Sequence, residues 1–379
     1  MPGREMYGEE EIQEVVEVLR RKVLFRYGFD RKRQGVFKTA EFERAFASFV
    51  GTKYALGVSS GSAALKVALE ALNLPKGGEV IAPCFTFVAT IEAIEEAGLT
   101  PVLCEVDASL NMDPVDLERR ITSRTVAVMP VHMMGNACRM DRIMEVARQR
   151  NLKVIEDACQ ATGTSYHGRR AGTFGDAGCF SFDYVKVMTT GEGGMVVTGS
   201  EEVYRQADRY HDHGHPHLPG VARGREPRER RGFNYRMSEL QAALGIVQLR
   251  KLDEVIHRQK ENKKAIKESL RTVSGVSFRD LPDEEGEIAT FLTFYAPRKE
   301  QAEAVRAKMN ELGVAPAVLD YWHFAANIAS CGGDFPVTRD LLERSVTIEI
   351  QALMDTAQVE KVSTVLVAAA KAALQAHRV

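Results

Sequence analysis

The chain has 379 residues, 45% hydrophobic and 27% charged, with a formal net charge of −2. That balance is ordinary globular chemistry, long enough for one large and one smaller domain, and it excludes a protein that binds nucleic acid through bulk positive charge. The start, Met1-Pro2-Gly3-Arg4-Glu5, lacks a basic-then-apolar leader and no apolar run is long enough to span a bilayer, so a cytoplasmic protein with no membrane partner is expected.

Six cysteines, at 84, 104, 138, 159, 179 and 331, form no CxxC pair. Several sit in apolar, strand-like runs, so small buried thiols are expected rather than a disulfide framework.

In chain order, Ile12, Val15, Val16 and Leu19 recur at helical spacing over residues 8–22. Residues 24–38 are basic and aromatic, and Phe25-Arg26-Tyr27-Gly28-Phe29-Asp30-Arg31-Lys32-Arg33 breaks the period. This stretch reads as a loop or arm, either solvated or lining a substrate or dimer contact. Thr39 is placed as the cap of a helix running to Val50, with Phe42, Phe46 and Val50 on one face. A short strand from Tyr54 then ends in Ser59-Ser60-Gly61-Ser62 and opens an alanine- and leucine-rich helix. Small hydroxyls and a glycine at a helix start suit an anion, because free N–H groups and the positive dipole end face it. Plain N-capping is the alternative.

Strands and helices alternate from there. Strands are expected at 79–83, 101–106, 125–132 and 152–157, with helices reaching about Ala97 and covering 139–150. Continuous apolar strands separated by helices indicate a mostly parallel sheet covered on both faces. In such sheets ligands sit beyond the carboxyl ends of strands, and Asp157 stands at one, as a helix cap or a ligand partner. Residues 178–182 read as a strand, followed by a turn holding Lys186, the glycine-rich Gly191-Glu192-Gly193-Gly194, and a second strand over 195–198. A lysine partly withdrawn from water shifts towards its neutral, nucleophilic form. The alternative is a surface lysine beside a tight turn.

The run His211-Asp212-His213-Gly214-His215-Pro216-His217 looks metal-binding by composition. Its glycine and proline make it a loop without a helical ligand pair, so no metal is expected. Arg223, Arg225, Arg228, Arg230 and Arg231 follow, as a solvated face or an anion clamp. A long helix then opens, with Ser238 and Gln241 fitting a capping box and Leu240, Leu244, Val247 and Leu252 forming its buried stripe. Beyond it, 276–278 and 290–295 read as antiparallel strands, 299–312 as a helix ended by Gly313, and the last helix begins near Thr356. The result is a large domain over residues 1–250 and a smaller one over 251–379. Tyr321-Trp322-His323 is an aromatic loop in the latter, either core or substrate contact.

The order of these pieces is more specific than any one of them. Ser60-Gly61-Ser62 is followed by Pro83 with Phe85-Thr86-Phe87-Val88, then Pro130-Val131-His132, then Glu156-Asp157-Ala158-Cys159-Gln160-Ala161. Gly175-Asp176, Phe180-Ser181-Phe182, Lys186, Gly191-Glu192-Gly193-Gly194 and Asn234-Tyr235-Arg236-Met237-Ser238-Glu239 complete the series. Over nearly the whole chain this resembles the DegT/StrS family of sugar aminotransferases.

The resemblance implies an α/β protein of the PLP-dependent transferase fold type I, aspartate aminotransferase-like. That fold has a mixed, mostly parallel seven-stranded sheet domain and a smaller α+β C-terminal domain. It implies pyridoxal 5′-phosphate as cofactor, with pyridoxamine 5′-phosphate in the cycle. Lys186 would be the catalytic residue and hold the cofactor covalently. Asp157 would pair with the ring nitrogen, Gln160 would sit near the phenolic oxygen, and Phe87 would stack on the ring. Gly61, Ser62 and Ser181 would hold the phosphate. Asn234 would reach it from the neighbouring subunit of a homodimer with shared sites. Ser62 stands where threonine is common and Cys159 where alanine is; both changes are small.

Phe25-Arg26-Tyr27, Phe182-Asp183 with Val185-Lys186, and Asp212-His213-Gly214-His215 resemble the 8-amino-3,8-dideoxy-octulosonate transaminase branch, which aminates C8 of a sugar acid. Arg26, Tyr27, His213, His215, Tyr321 and His323 are the substrate candidates. The implied reaction moves an amino group from glutamate to a keto or aldehyde sugar, with Lys186 carrying the proton. Alternatives are a nucleotide-linked keto sugar as acceptor, a sugar dehydratase (which typically has histidine in place of the lysine), and a regulatory protein that kept the fold. The basic arm 26–33 and the arginine loop 223–231 suggest an anionic group on the acceptor.

Overall fold

The structure, a computed structural model, describes residues 3–375 except 318, 320–322 and 328–330. A 3₁₀ turn, Gly3–Met6, precedes α1 (Glu9–Arg21), the single turn α2 (Asp30–Arg33) and α3 (Lys38–Val50). Then come β1 (Tyr54–Val58), α4 (Gly61–Ala71), β2 (Glu79–Pro83), α5 (Val88–Glu96) and β3 (Thr100–Cys104). They are followed by α6 (Pro114–Arg120), β4 (Thr125–Val128), α7 (Met140–Gln149) and β5 (Lys153–Asp157). A small hairpin, β6 (Ser165–Tyr166) and β7 (Arg169–Arg170), leads to β8 (Ala177–Ser181), β9 (Gly194–Thr198) and α8 (Glu201–His211). The long α9 (Glu239–Leu270) is followed by β10 (Ser277–Phe278), β11 (Phe291–Tyr295), α10 (Lys299–Glu311), α11 (Pro336–Arg344), β12 (Ser345–Glu349) and α12 (Thr356–Gln375).

The central sheet has seven strands in the order β1-β9-β8-β5-β4-β2-β3. Only β9 runs against its neighbours; the other pairings are parallel. Strands β2, β8 and β9 are buried at every residue, as a sheet covered by helices on both faces requires. Phe42 and Phe46 of α3 pack on Phe182 and Phe180, with ring centroids 5.2 and 5.0 Å apart. This aromatic cluster fixes the strand that leads into the Lys186 turn. The smaller sheet is antiparallel, β10-β11-β12. Helix α9 serves both cores: Leu252, Val255 and Ile256 pack with the large one, Ile266 and Leu270 with the small one. Cys84, Cys104, Cys138, Cys159 and Cys179 are free thiols, and none of the helices among the described residues is long and apolar enough to cross a membrane.

Several local expectations give way to tertiary contacts. Helix α3 starts at Lys38 and Thr39 does not cap it. The N–H groups of Lys38 and Thr39 donate instead to the Glu239 carboxylate at 2.7 and 3.2 Å, and the Thr39 hydroxyl donates to it at 2.7 Å. Glu239 thus closes one helix from the start of another, whose own Ser238–Gln241 capping box forms as expected. On α1, Ile12 and Leu19 stay 56% and 50% exposed, while Glu11 is buried against Lys251 and Gln248. On α9, Leu240 and Leu244 are only half-buried, and the stripe runs through Ala242, Ala243, Ile246 and Val247. The strand expected over 125–132 ends at Val128; Val131 makes only an isolated bridge to Asp157. Helices α6, α8 and α11 and strand β12 are further elements, each short or strongly charged.

The basic arm is also partly structural. Arg26 is buried, 2.6 Å from Glu43, and donates to the Gly57 carbonyl. Arg33 is fully buried between Glu239 and the Phe25 carbonyl. These two arginines answer internal acceptors, which removes them from the anion-binding set that the arm suggested.

Candidate active site

One cavity of about 610 Å³ lies beyond the carboxyl ends of β5 and β8. Gly61, Ser62, Phe87, Asp157, Gln160, Ser181 and Lys186 all line it, together with His323. Gly61 and Lys186, 125 positions apart in sequence, meet here because β1, β5 and β8 all direct their following segments to this edge of the sheet.

The helix start at α4 is built for an anion. Ser60 is its N-cap, with its hydroxyl accepting from Ala63 N–H at 3.1 Å. Helix geometry leaves the Gly61 and Ser62 N–H groups without intrahelical acceptors. A Cβ on Gly61 would lie 2.7 Å from Ser181 Cβ and 3.1 Å from Cys159 Sγ. Only glycine lets the helix start press against Ser181, so its N–H groups and the Ser181 hydroxyl share one small region. That cradle fits a phosphate.

Asp157 ends β5 and is 4% exposed. Its Oδ2 accepts from the Thr90 hydroxyl at 2.8 Å and its Oδ1 from Cys159 N–H at 3.1 Å. Gln160 is held nearby, its Oε1 accepting from Met134 N–H at 3.1 Å. Burial pushes the Cys159 thiol well above its usual pKa, and Asp157 adds to the shift, so the sulfur stays protonated and inert.

Lys186 sits in the turn after β8. Its N–H donates to the Asp183 carbonyl at 3.0 Å, and the Asp183 side chain accepts from Val185 N–H at 3.1 Å. The turn closes through Thr190 N–H to the Phe182 carbonyl and Phe182 N–H to the Gly193 carbonyl, with Gly191 at φ +80° making the bend. The N-terminal segment straps it from outside. Gly3 N–H donates to the Lys186 carbonyl at 3.2 Å and the Tyr7 hydroxyl to the Thr189 carbonyl at 2.9 Å. His323 faces the same cavity near Phe87; burial, and then the Lys186 charge, lowers its pKa and keeps its ring neutral.

The other sequence candidates lie elsewhere in the chain. Tyr27, half-buried, donates to His211 Nε2 or Asp208 and stacks on His217 at 4.1 Å. His217 bridges Asp208 and Asp212 at 2.7 and 2.8 Å, and Asp212 also takes Arg223 and Arg236. Burial opposes charge on His217, but its hydrogen bonds to Asp208 and Asp212 prevail and bring it up to about 9. His215 is buried against Glu226. The histidine-rich run therefore acts as a set of posts for the loop that ends at Asn234, which bridges Asp212. Asn234 is exposed and does not line the cavity of its own chain. His213 lines a separate cleft with Arg228, Arg230 and Arg231. Tyr321 lies outside the described residues. Thr86, Thr90 and the strap at Gly3 and Tyr7 were not singled out from sequence; the spacing of Thr86 and Thr90 at a helix start was the available signal.

This arrangement is that of the fold type I pyridoxal phosphate-dependent proteins, and the residues present fit the cofactor: a phosphate cradle, a strand-end carboxylate and a turn lysine around one cavity. The chain belongs to the DegT/DnrJ/EryC1/StrS aminotransferase family, whose sequence model matches residues 5–367. Its cofactor is pyridoxal 5′-phosphate. The GDP-perosamine synthase of Caulobacter vibrioides is 43% identical over 220 residues, 56% of this chain and 57% of that protein. That match spans less than two thirds of the relative's length, as does the match to the GDP-perosamine synthase of Escherichia coli O157:H7, at 63%. The dTDP-3-amino-3,6-dideoxy-alpha-D-galactopyranose transaminase of Aneurinibacillus thermoaerophilus is 32% identical over 85% of this chain and 87% of its own. Among solved structures, the aminotransferase from Psychrobacter cryohalolentis has a TM-score of 0.85 at 29% identity, covering 95% of this chain and 96% of that one.

Proposed function

We propose that this protein is an aminotransferase that moves an amino group from glutamate to a keto sugar carried on a nucleotide. The observation that carries the reading is the shared cavity of Lys186, Asp157 and the Ser62–Ser181 cradle. Bound pyridoxal phosphate supplies an aldehyde that carries amines and a ring that accepts electrons. With the cofactor bound, the α4 start and Ser181 would hold its phosphate, Phe87 would lie against its ring, and Asp157 would hold a proton at the ring nitrogen. Lys186 Nζ takes a proton from the donor carbon and returns it, as general base and then acid. A lysine here speaks against the dehydratase reading.

The acceptor class rests on relatives named for nucleotide-linked sugars. The octulosonate alternative has less support, since the relatives reported above are named for nucleotide-linked sugars. The experiment is a screen of nucleotide-linked and free keto sugars with nitrogen-labelled glutamate, read by mass. Label on a GDP- or dTDP-linked sugar is the expected result; label only on free sugar acids would refute the nucleotide assignment, and label on no sugar would refute the activity.

The cavity wall also supports a site shared between two copies. Asp157, Asp183, Glu192 and Glu349 line it, against Lys186 as the only lysine or arginine among the described lining residues. Glutamate and a sugar diphosphate are anions, so further cations are needed. Arg225, Arg228 and Arg231 are exposed on the loop that carries Asn234. In a dimer that loop of one copy would complete the site of the other. Mixing inactive Asn234→Ala and Lys186→Ala protomers should then restore part of the activity, up to about a quarter of the sites, as random pairing allows. Verified mixed dimers without activity would count against the shared site.

A further inference from the structure

We propose that Thr90 is a positioning residue for the reaction, holding the Asp157 carboxylate through a one-way hydroxyl relay that begins at Thr86. The inference deepens, and rests on, the reading that Asp157 meets the ring nitrogen of the cofactor. Thr90 Oγ1 donates to Asp157 Oδ2 at 2.8 Å, and Thr86 Oγ1 lies 2.6 Å from Thr90 Oγ1. Each hydroxyl has a single proton to donate. With the Thr90 proton on the carboxylate, the Thr86 proton must point at the Thr90 oxygen. Its other acceptor, the Phe87 carbonyl, is distant at 3.4 Å. The relay therefore runs towards Asp157. Thr86 and Thr90 are fully buried, so water does not substitute for either hydroxyl.

The two threonines do not line the cavity, and their effect passes through Asp157. The same segment ties other parts of the site together. Thr90 N–H donates to the Phe87 carbonyl at 3.1 Å, and Thr86 N–H to the His323 carbonyl at 2.7 Å. One turn at the start of α5 thus sets the carboxylate, the stacking wall and His323 relative to one another. With Cys159 N–H on Oδ1, the carboxylate is gripped at both oxygens and keeps its remaining lone pairs for the cavity.

The test compares Thr90→Val, which removes the hydroxyl at nearly constant volume, with Thr90→Ser, which keeps it. Thr90→Val should weaken binding of added pyridoxal phosphate by about tenfold or more. It should also move the pH midpoint of the bound cofactor's visible band and lower kcat more than it raises KM for glutamate. Thr90→Ser should stay within about threefold of the parent in cofactor binding. Equal losses in the two variants would reduce Thr90 to packing and overturn the relay. So would a Thr90→Val protein with parental cofactor titration and an unmoved band, when Asp157→Asn shows a changed one. Parental behaviour of Asp157→Asn itself would remove the reading beneath the relay. Should Thr90→Val fail to fold, Thr86→Val decides by the same band: a shift in the same direction supports the relay, and no shift overturns it.

Discussion

Lys186→Ala is expected to give a folded protein that no longer holds pyridoxal phosphate covalently and whose amino transfer falls by at least about 10³-fold. The side chain has two tasks in the proposed reaction, attachment and proton transfer, and alanine does neither. The turn itself does not depend on that side chain. It is closed by backbone bonds from Asp183, Phe182 and Gly193 and by the Gly3 N–H on the Lys186 carbonyl. Borohydride reduction followed by intact mass measurement reads the attachment directly: the parent should gain one cofactor-sized mass and the variant none. A variant that still gained it would mean that another amine is the attachment point.

Asp157→Ala is expected to lower turnover by about 10²-fold or more while leaving the fold in place. The carboxylate is the only acidic group placed at the end of β5 against the cavity, and its proposed role is to hold a proton at the ring nitrogen. Alanine also strands two buried donors, the Thr90 hydroxyl and the Cys159 N–H. Each unmet buried donor costs about 1–3 kcal/mol, so the melting temperature should drop as well. Asp157→Asn separates the two effects, because its amide oxygen still accepts one of those bonds but its side chain carries no charge. Turnover should fall in both variants and stability mainly in the alanine one. Near-parental turnover in Asp157→Asn would take the role away from this carboxylate.

What the sequence made readable follows a physical division. The lysine turn, the strand-end Asp157 and the Ser60-Gly61-Ser62 helix start are each local: chemistry and backbone conformation are encoded within a few residues. The parallel sheet was readable for a similar reason, since strands buried on both faces are apolar throughout. Contacts made across the fold were not. Thr39 has the residue type of a helix cap, but a carboxylate 200 positions away takes its place. Ile12 and Leu19 have the spacing of a buried face, yet Lys251 and Gln248 draw the Glu11 side inward. The histidine run suggested ligands by composition; its partners, Asp208, Glu226 and Arg223, lie on neighbouring turns and determine that it ties down a loop instead.

The strap over the lysine turn bears on the order in which the site forms. Tyr7 and Thr189 are 182 residues apart in the chain. Closing an unstructured loop of that length costs about 4–5 kcal/mol. The two strap bonds, from Gly3 and Tyr7, contribute about 0.5–1.5 kcal/mol each. They do not meet that cost alone, so the strap docks only once the sheet and α9 have already brought its two ends together. Residues 3–7 are thus among the last to settle, and the peptide carbonyl of Lys186 gains its outer partner only when the rest of the domain is in place.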